Sequence, residues 1–353
     1  MLRRTCAVVS IAFALSLFAA TGTAATAQRT FVASNGNDAN PCSIAAPCRG
    51  FARAIMQTSA GGEVIVLDSA GYGVVTITKS VALIAPRGIY AGVSVFSGDG
   101  ITVNGVGIDV HLQGLSISAQ GGTNGVNFTQ GGNLHVEGCT ISGFTVAGIV
   151  VNAVGTITVV DTSLLHNEIG VWVKAAATVT VARATIDRNH SSGLFVTGAG
   201  KASLVQSTVT NSTGSGVDVR GDPSGDTRLV VDSSLLADNG SRGLLVYDNN
   251  ANTVVRADIV RSTVARNGEG IGVLGTMGTA RLSATQNVIS DNAAIGLSSG
   301  GAGAKARLTQ NTVVHNSTGL QGDVTPSLYS PGNNYVHDNT FSDAFNVTAD
   351  TLM

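Results

Sequence analysis

Six side chains that could do chemistry recur at nearly constant intervals. Trp172, Phe195 and Asp218 follow one another 23 residues apart, Lys174 and Arg220 stand two residues behind Trp172 and Asp218, and Tyr247 comes 27 residues after Arg220. Aromatic faces stack on sugar rings, and Lys or Arg pairs with carboxylates. On an acidic sugar a cation would neutralise the carboxylate while a base removed the proton beside it. Lys174 is the better base, because a guanidinium such as Arg220 seldom loses its proton. The spacing therefore nominates Lys174, Arg220 and Asp218 as catalytic, and Trp172, Phe195 and Tyr247 as the binding surface for a polysaccharide or cell-surface glycan. The rival reading is a covered aromatic stack beside an ordinary surface pair, Asp218 with Arg220.

These residues meet only if the chain winds with that period, and the sequence says that it does. A phrase of Gly, aliphatic, any residue, aliphatic recurs at Gly100, Gly125, Gly148, Gly170, Gly193, Gly216, Gly243 and Gly270, with weaker copies at Gly296 and Gly319, at intervals of 22 to 27 residues. Each interval also holds an alternating segment such as Val179-Thr180-Val181. A Ser or Thr followed by an aliphatic residue comes next, as at Thr185-Ile186 and Thr263-Val264, and then an Asn: Asn167, Asn189, Asn211, Asn239, Asn267, Asn292 and Asn316. Apolar residues spaced by two, many of them β-branched, make strands and exclude helices. Leucine-rich repeats lack their Leu-x-x-Leu-x-Leu phrase, and a propeller blade needs a longer unit. The solution left is an all-β solenoid, a parallel β-helix of about ten three-stranded coils, stacked at about 4.8 Å. That spacing gathers the six residues into a patch roughly 15–20 Å long. Asn suits the tight turns, where its amide reaches backbone and the next coil.

A solenoid must hide its ends. Phe51 to Met56 has helical spacing and can cap the first coil, with Glu63 to Leu67 as the first strand behind it. The expected organisation is a signal peptide over 1–27, an entry segment and cap over 28–60, the β-helix over 61–325, and a C-terminal cap or tail over 326–353. The signal reading rests on Arg3 and Arg4, the apolar run Ala7 to Ala20 and the small residues Ala25-Thr26-Ala27; the run is too short and wrongly flanked for a membrane anchor. It implies a secreted or periplasmic protein with no membrane span once processed, and a single compact domain of this kind reads as a monomer. Without Arg3 and Arg4 the 20 basic residues become 18, against 22 acidic, and no basic block remains, which excludes nucleic acid as partner.

Cys42 and Cys48 are close enough to close a small disulfide loop in an oxidising compartment. Cys139 has inward parity in the repeat and reads as a buried, inert thiol. Asp222, Asp226 and Asp248 fall in the loops beside the patch; oxygen-rich loops can hold calcium, and a simple turn fits them equally. His111, His135, His166, His190, His315 and His337 show no common strand register from this spacing, so no metal or other cofactor is expected.

The periodic phrases, over residues 60 to 325, resemble the right-handed parallel β-helix repeats of the pectin-lyase-like superfamily. So does the entry Phe31-Val32-Ala33-Ser34-Asn35-Gly36-Asn37-Asp38, with Pro47-Cys48-Arg49-Gly50-Phe51, which is similar to the start of many bacterial secreted members. The resemblance implies acidic polysaccharide bound along one outer strand face, and cleavage by lyase chemistry where there is catalysis. Polygalacturonases of that superfamily carry Asn-x-Asp-Asp before a comparable strand. Here the stretches read Asn167-Glu168-Ile169-Gly170 and Asn267-Gly268-Glu269-Gly270, so the hydrolytic carboxylate pair is missing. The competing class is a non-catalytic surface scaffold or adhesin-like protein.

Overall fold

The computed structural model describes residues 26–323, 325 and 327–350, so the expected signal segment falls almost wholly outside them. The chain winds into three parallel sheets of 14, 12 and 12 strands, and every pairing within them is parallel. We call the 14-stranded one the long sheet. The glycine sheet carries the Gly phrases, and the short sheet consists mostly of three-residue strands such as Thr185–Asp187. One coil passes through the glycine sheet (Ile169–Val173), the long sheet (Thr178–Ala182) and the short sheet (Thr185–Asp187), then steps up by a coil. Inward residues of all three sheets form one continuous apolar column from Val32 to Leu328.

Two ladders fix how the coils stack. The repeated glycines run up the glycine sheet so tightly that a Cβ on Gly170 would lie 2.4 Å from the Gly193 carbonyl oxygen, and one on Gly270 would lie 2.2 Å from that of Gly296. The buried asparagines make the other ladder. Asn267 Nδ2 donates to Asn292 Oδ1 at 3.0 Å and to the Leu236 carbonyl of the coil below at 3.0 Å, and its Oδ1 accepts from the amide and Nδ2 of Asn239. Asn167, Asn189, Asn239, Asn292, Asn316 and Asn339 repeat the motif. Asn211 does not: Ser212 takes its rung, while Asn211 occupies the left-handed bend just before it, at φ 55°. That position suits Asn for a different reason, since its short side chain tolerates the left-handed region.

The winding runs further than the ten coils that the glycines mark. A coil through Val75–Ile77 precedes them. The segment 326–353, expected to close the end, instead adds Leu328–Ser330, Tyr335–His337 and Ser342–Phe345 to the three sheets. Asn334 and Asn339 supply the rungs that hold this last coil, although it lacks the Gly phrase. At the other end the helix Phe51–Gln57 covers the first coil, burying Phe51, Ala54 and Ile55, and Cys42 is disulfide-bonded to Cys48 above it.

Removing one rung strands several partners at once, and each buried polar group left unpaired costs about 1–3 kcal/mol. Asn267→Ala is therefore expected to lower stability by at least about 2 kcal/mol, while the exposed Gln130→Ala stays within about 0.5 kcal/mol; calorimetric melting of both variants checks the difference.

Candidate functional site

The register brings the six nominated residues together as the period requires. Trp172 pairs with Phe195 and Phe195 with Asp218 along one outward row of the glycine sheet, and Arg220 pairs with Tyr247 in the next. Their chemistry, however, is directed at one another. The rings of Trp172 and Phe195 stack at 5.6 Å and sit on a small apolar cluster of Ala147, Val150 and Ile169, outside the main core. Lys174 Nζ lies 4.5 Å from the centre of the Trp172 ring, and the Arg220 guanidinium lies over both Phe195 and Tyr247. Asp218, expected on the open surface, is only 4% exposed. Arg220 folds over it, with Nη2 2.7 Å from Oδ2 and Nε 3.0 Å from Oδ1. Burial lifts the Asp218 carboxyl above the ordinary carboxylate range, against the opposing pull of Arg220.

The loop carboxylates do not converge either. Asp222 caps its own turn through Ser224, Asp226 pairs with Arg256 at 2.7 Å, and Asp248 is fully buried against Thr253 and the Asn250 amide. Cys139 is a free, buried thiol, pushed up to about 11 by burial, which keeps it in the unreactive form at neutral pH.

The outer face of the long sheet is different, and the sequence reading passed over it. Lys201, Arg228, Arg256, Arg281 and Lys305 are successive register partners, so five cations stand in one row at the spacing of the coils. Asp226 and Asp258 engage Arg256 and Arg228, while Lys201, Arg281 and Lys305 make no ion pair among the described residues. Arg307, two residues beyond Lys305 and exposed on the same face, adds a further cation in the neighbouring row, and a concavity of about 250 Å³ opens among Arg228, Arg256, Arg281 and Arg307. The cation row continues toward the N-terminus as Thr178, Thr156, Asn133 and Asp109, and the row beside it reads Ser203, Thr180, Thr158, His135 and His111. The face therefore runs from cations through hydroxyls to imidazoles.

His111 and His135 are direct register partners, which corrects the expectation that the histidines share none. The turn before Asp109 is one residue longer than its counterpart before Asn133, so counting from the glycines hides the match. Aligning Val110-His111-Leu112 on Leu134-His135-Val136 reveals it. The same alignment finds the cations, each of which opens a phrase of cation, aliphatic, any residue, aliphatic. The two rings meet edge to face at 4.8 Å, and Glu137 Oε2 lies 3.4 Å from Nε2 of each. Burial holds the His111 imidazole below its ordinary value, His135 acts in the same direction, and Glu137 opposes. His111 and His135 line a concavity of about 440 Å³ on the sheet face, and Glu137 lines a separate one of about 340 Å³ beside Pro86 and Asp161.

Comparison with known proteins agrees with this architecture. A family model described as right handed beta helix region matches residues 169–341, and one described as periplasmic copper-binding protein (NosD) matches residues 62–227. The chain has the fold of a right-handed parallel β-helix. No curated protein matches it. Among solved structures, pectate lyase Pel9A superposes with a TM-score of 0.55 at 17% identity, over 92% of this chain and 80% of that one. The Dettilon tailspike protein gives 0.66 at 13%, over 84% and 63%, and the periplasmic alginate epimerase AlgG gives 0.53 at 11%, over 83% and 78%. At such identities the likeness is one of fold. No helix among the described residues is long and apolar enough to cross a membrane.

The raised Asp218 carboxyl makes a pH prediction. In the window between its unfolded value and its higher folded one, the folded state binds the extra proton, so stability falls as pH rises through that window. Relative to Asp218→Asn, the wild type should gain thermal stability on going from pH 7 to about pH 4.5; melting curves of the pair at both pH values check the sign, and a wild type that instead loses ground on acidification contradicts the burial argument.

Proposed function

We propose that the protein is a secreted or periplasmic β-helix that binds an acidic polysaccharide along the outer face of the long sheet. The observation that carries this reading is the row of five cations at coil spacing, three of them without an ion pair among the described residues. An extended polymer with a carboxylate on successive sugars meets such a row many times over, and each contact is a charge-assisted hydrogen bond. The Thr and Ser rows continue the track with groups that donate to and accept from sugar hydroxyls. A single-stranded nucleic acid would call for stacked aromatic platforms between the cations, and no aromatic residue stands between the five register partners Lys201, Arg228, Arg256, Arg281 and Lys305. Support also comes from the solved structures of like fold, which include proteins named as a pectate lyase and an alginate epimerase. The expectation of a periplasmic or secreted setting accords with the periplasmic family whose model covers residues 62–227.

In this reading the aromatic–cation stack around Trp172 stiffens the glycine sheet, because Lys174, Asp218 and Arg220 already have partners within the stack. Copper, named in the description of that periplasmic family, finds within residues 62–227 a donor set of suitable chemistry in His111, His135 and Glu137. Imidazole nitrogen suits such an ion better than the surrounding hydroxyls.

Binding of polygalacturonate and of alginate, measured by affinity electrophoresis or calorimetry in 0.15 M salt, tests the proposal. At about 0.2–1 kcal/mol for each exposed charge, Lys201→Ala, Arg281→Ala and Lys305→Ala combined should weaken binding roughly tenfold. Added salt should weaken it further, and neutral dextran should not bind. The double variant Trp172→Ala, Lys174→Ala should leave affinity unchanged. Affinity that survives the triple variant and collapses in the double one moves the site to the glycine sheet and refutes the reading.

A further inference from the structure

We propose that His111, His135 and Glu137 form a three-ligand site for a divalent transition-metal ion on the long sheet, with the remaining coordination positions open to solvent. The site is built by the winding itself. His111 and His135 point outward from adjacent strands at the same register position, and Glu137 stands two residues beyond His135 on the same face. Three donors are thereby brought to one point by a repeat spacing and a strand alternation, with no loop needed to hold them.

The distances fit a shared ion better than a hydrogen bond. Glu137 Oε2 lies 3.4 Å from Nε2 of His111 and 3.4 Å from Nε2 of His135. A charge-assisted hydrogen bond would close to about 2.7–2.9 Å. Ligand atoms held at about 2.0–2.2 Å from one ion in tetrahedral arrangement stand about 3.3–3.6 Å apart. All three donor atoms lie within 4.8 Å of one another. His111 Nε2 is shielded from solvent and has no hydrogen-bond partner among the described residues. An ion at the common point would satisfy all three donors.

The donor set selects the class of ion. Two imidazole nitrogens with one carboxylate oxygen suit Cu²⁺ and Zn²⁺, whereas Ca²⁺ and Mg²⁺ require more oxygen ligands than this face offers. With three protein ligands, the arrangement has the open form of a site that keeps a place for water or an incoming oxygen ligand, rather than the closed four-ligand form of a structural site. The concavity lined by Asp109, Asn133, Thr156 and Thr158 gives such a ligand room. This inference stands on the three side chains alone and survives if no polysaccharide binds.

Calorimetric titration of the chelator-stripped protein with Cu²⁺ and with Zn²⁺, in glycine buffer to suppress loose surface binding, tests it. One equivalent of each ion should bind, and Ca²⁺ and Mg²⁺ should give no heat. His111→Asn, His135→Asn and Glu137→Gln should each weaken binding by more than about tenfold, given that even outer partners of a metal site are worth that much. His315→Asn, at the bend after the short-sheet strand Thr312–Val314, should not. The Cu²⁺-loaded protein should show nitrogen hyperfine splitting in its electron paramagnetic resonance spectrum, lost in His135→Asn while circular dichroism stays unchanged. Absence of a stoichiometric site in the wild type, or its persistence in both histidine variants, overturns the proposal.

Discussion

Register is the constraint on which everything else in this molecule depends. In a parallel stack with a side-chain period of two, slipping one strand by a residue would turn its whole inward set out to solvent. The glycine ladder and the asparagine ladder prevent this from opposite directions. The glycines let adjacent backbones approach to a distance at which any Cβ would collide with the next carbonyl. Each buried amide, in turn, must find the amide of the neighbouring coil or lose several hydrogen bonds together. One ladder is a steric condition and the other a polar one, and they agree on a single stacking. A side chain on the outer face then has a fixed neighbour about 4.8 Å away on either side, whatever the loops between them do.

That rigidity is what lets so weakly charged a chain carry a charged track. Charged residues make up 12% of the sequence and the formal net charge is only −2. Elsewhere the cations are paired one coil apart at the bends, Arg183 with Asp161, Arg261 with Asp232 and Arg266 with Asp238. On the long sheet the same stacking sets cation above cation. Like charges in adjacent register positions repel, and within the row Asp258 and Asp226 offset that repulsion at Arg228 and Arg256. The histidine pair shows the same logic at shorter range, with a carboxylate beside it.

The fold was legible in the sequence because its determinants are periodic and local: a glycine, an alternation of aliphatic residues, an asparagine at the turn. Cys139 as a buried thiol, the helix after Phe51 and the Cys42–Cys48 bridge were readable for similar reasons. The candidate site was legible only in part. Counting from the glycines placed Trp172, Phe195 and Asp218 side by side, and parity put them outside the core. Parity does not say whether an outward side chain meets solvent, however. Arg220 is long enough to fold back over Asp218, and that contact is set by rotamers and not by period. The same counting obscured His111 against His135, because the turn lengths differ by one residue, and obscured the cations, because their loops differ by several. Anchoring each strand on its own buried aliphatic pair recovers both rows. The last coil was missed because its polar rungs, Asn334 and Asn339, persist after its glycine phrase has lapsed.

The central claim is that outward rows of the long sheet, and not the aromatic stack of the glycine sheet, meet the ligand. Acylation of lysines by a mild amine reagent, read residue by residue by mass spectrometry with and without saturating polygalacturonate, addresses it directly. Lys201 and Lys305 lie on one face and Lys174 on the other, so a single experiment reports on both. The account predicts that the polymer shields Lys201 and Lys305 and leaves the reactivity of Lys174 unchanged; shielding of Lys174 with Lys201 and Lys305 still fully reactive would contradict it.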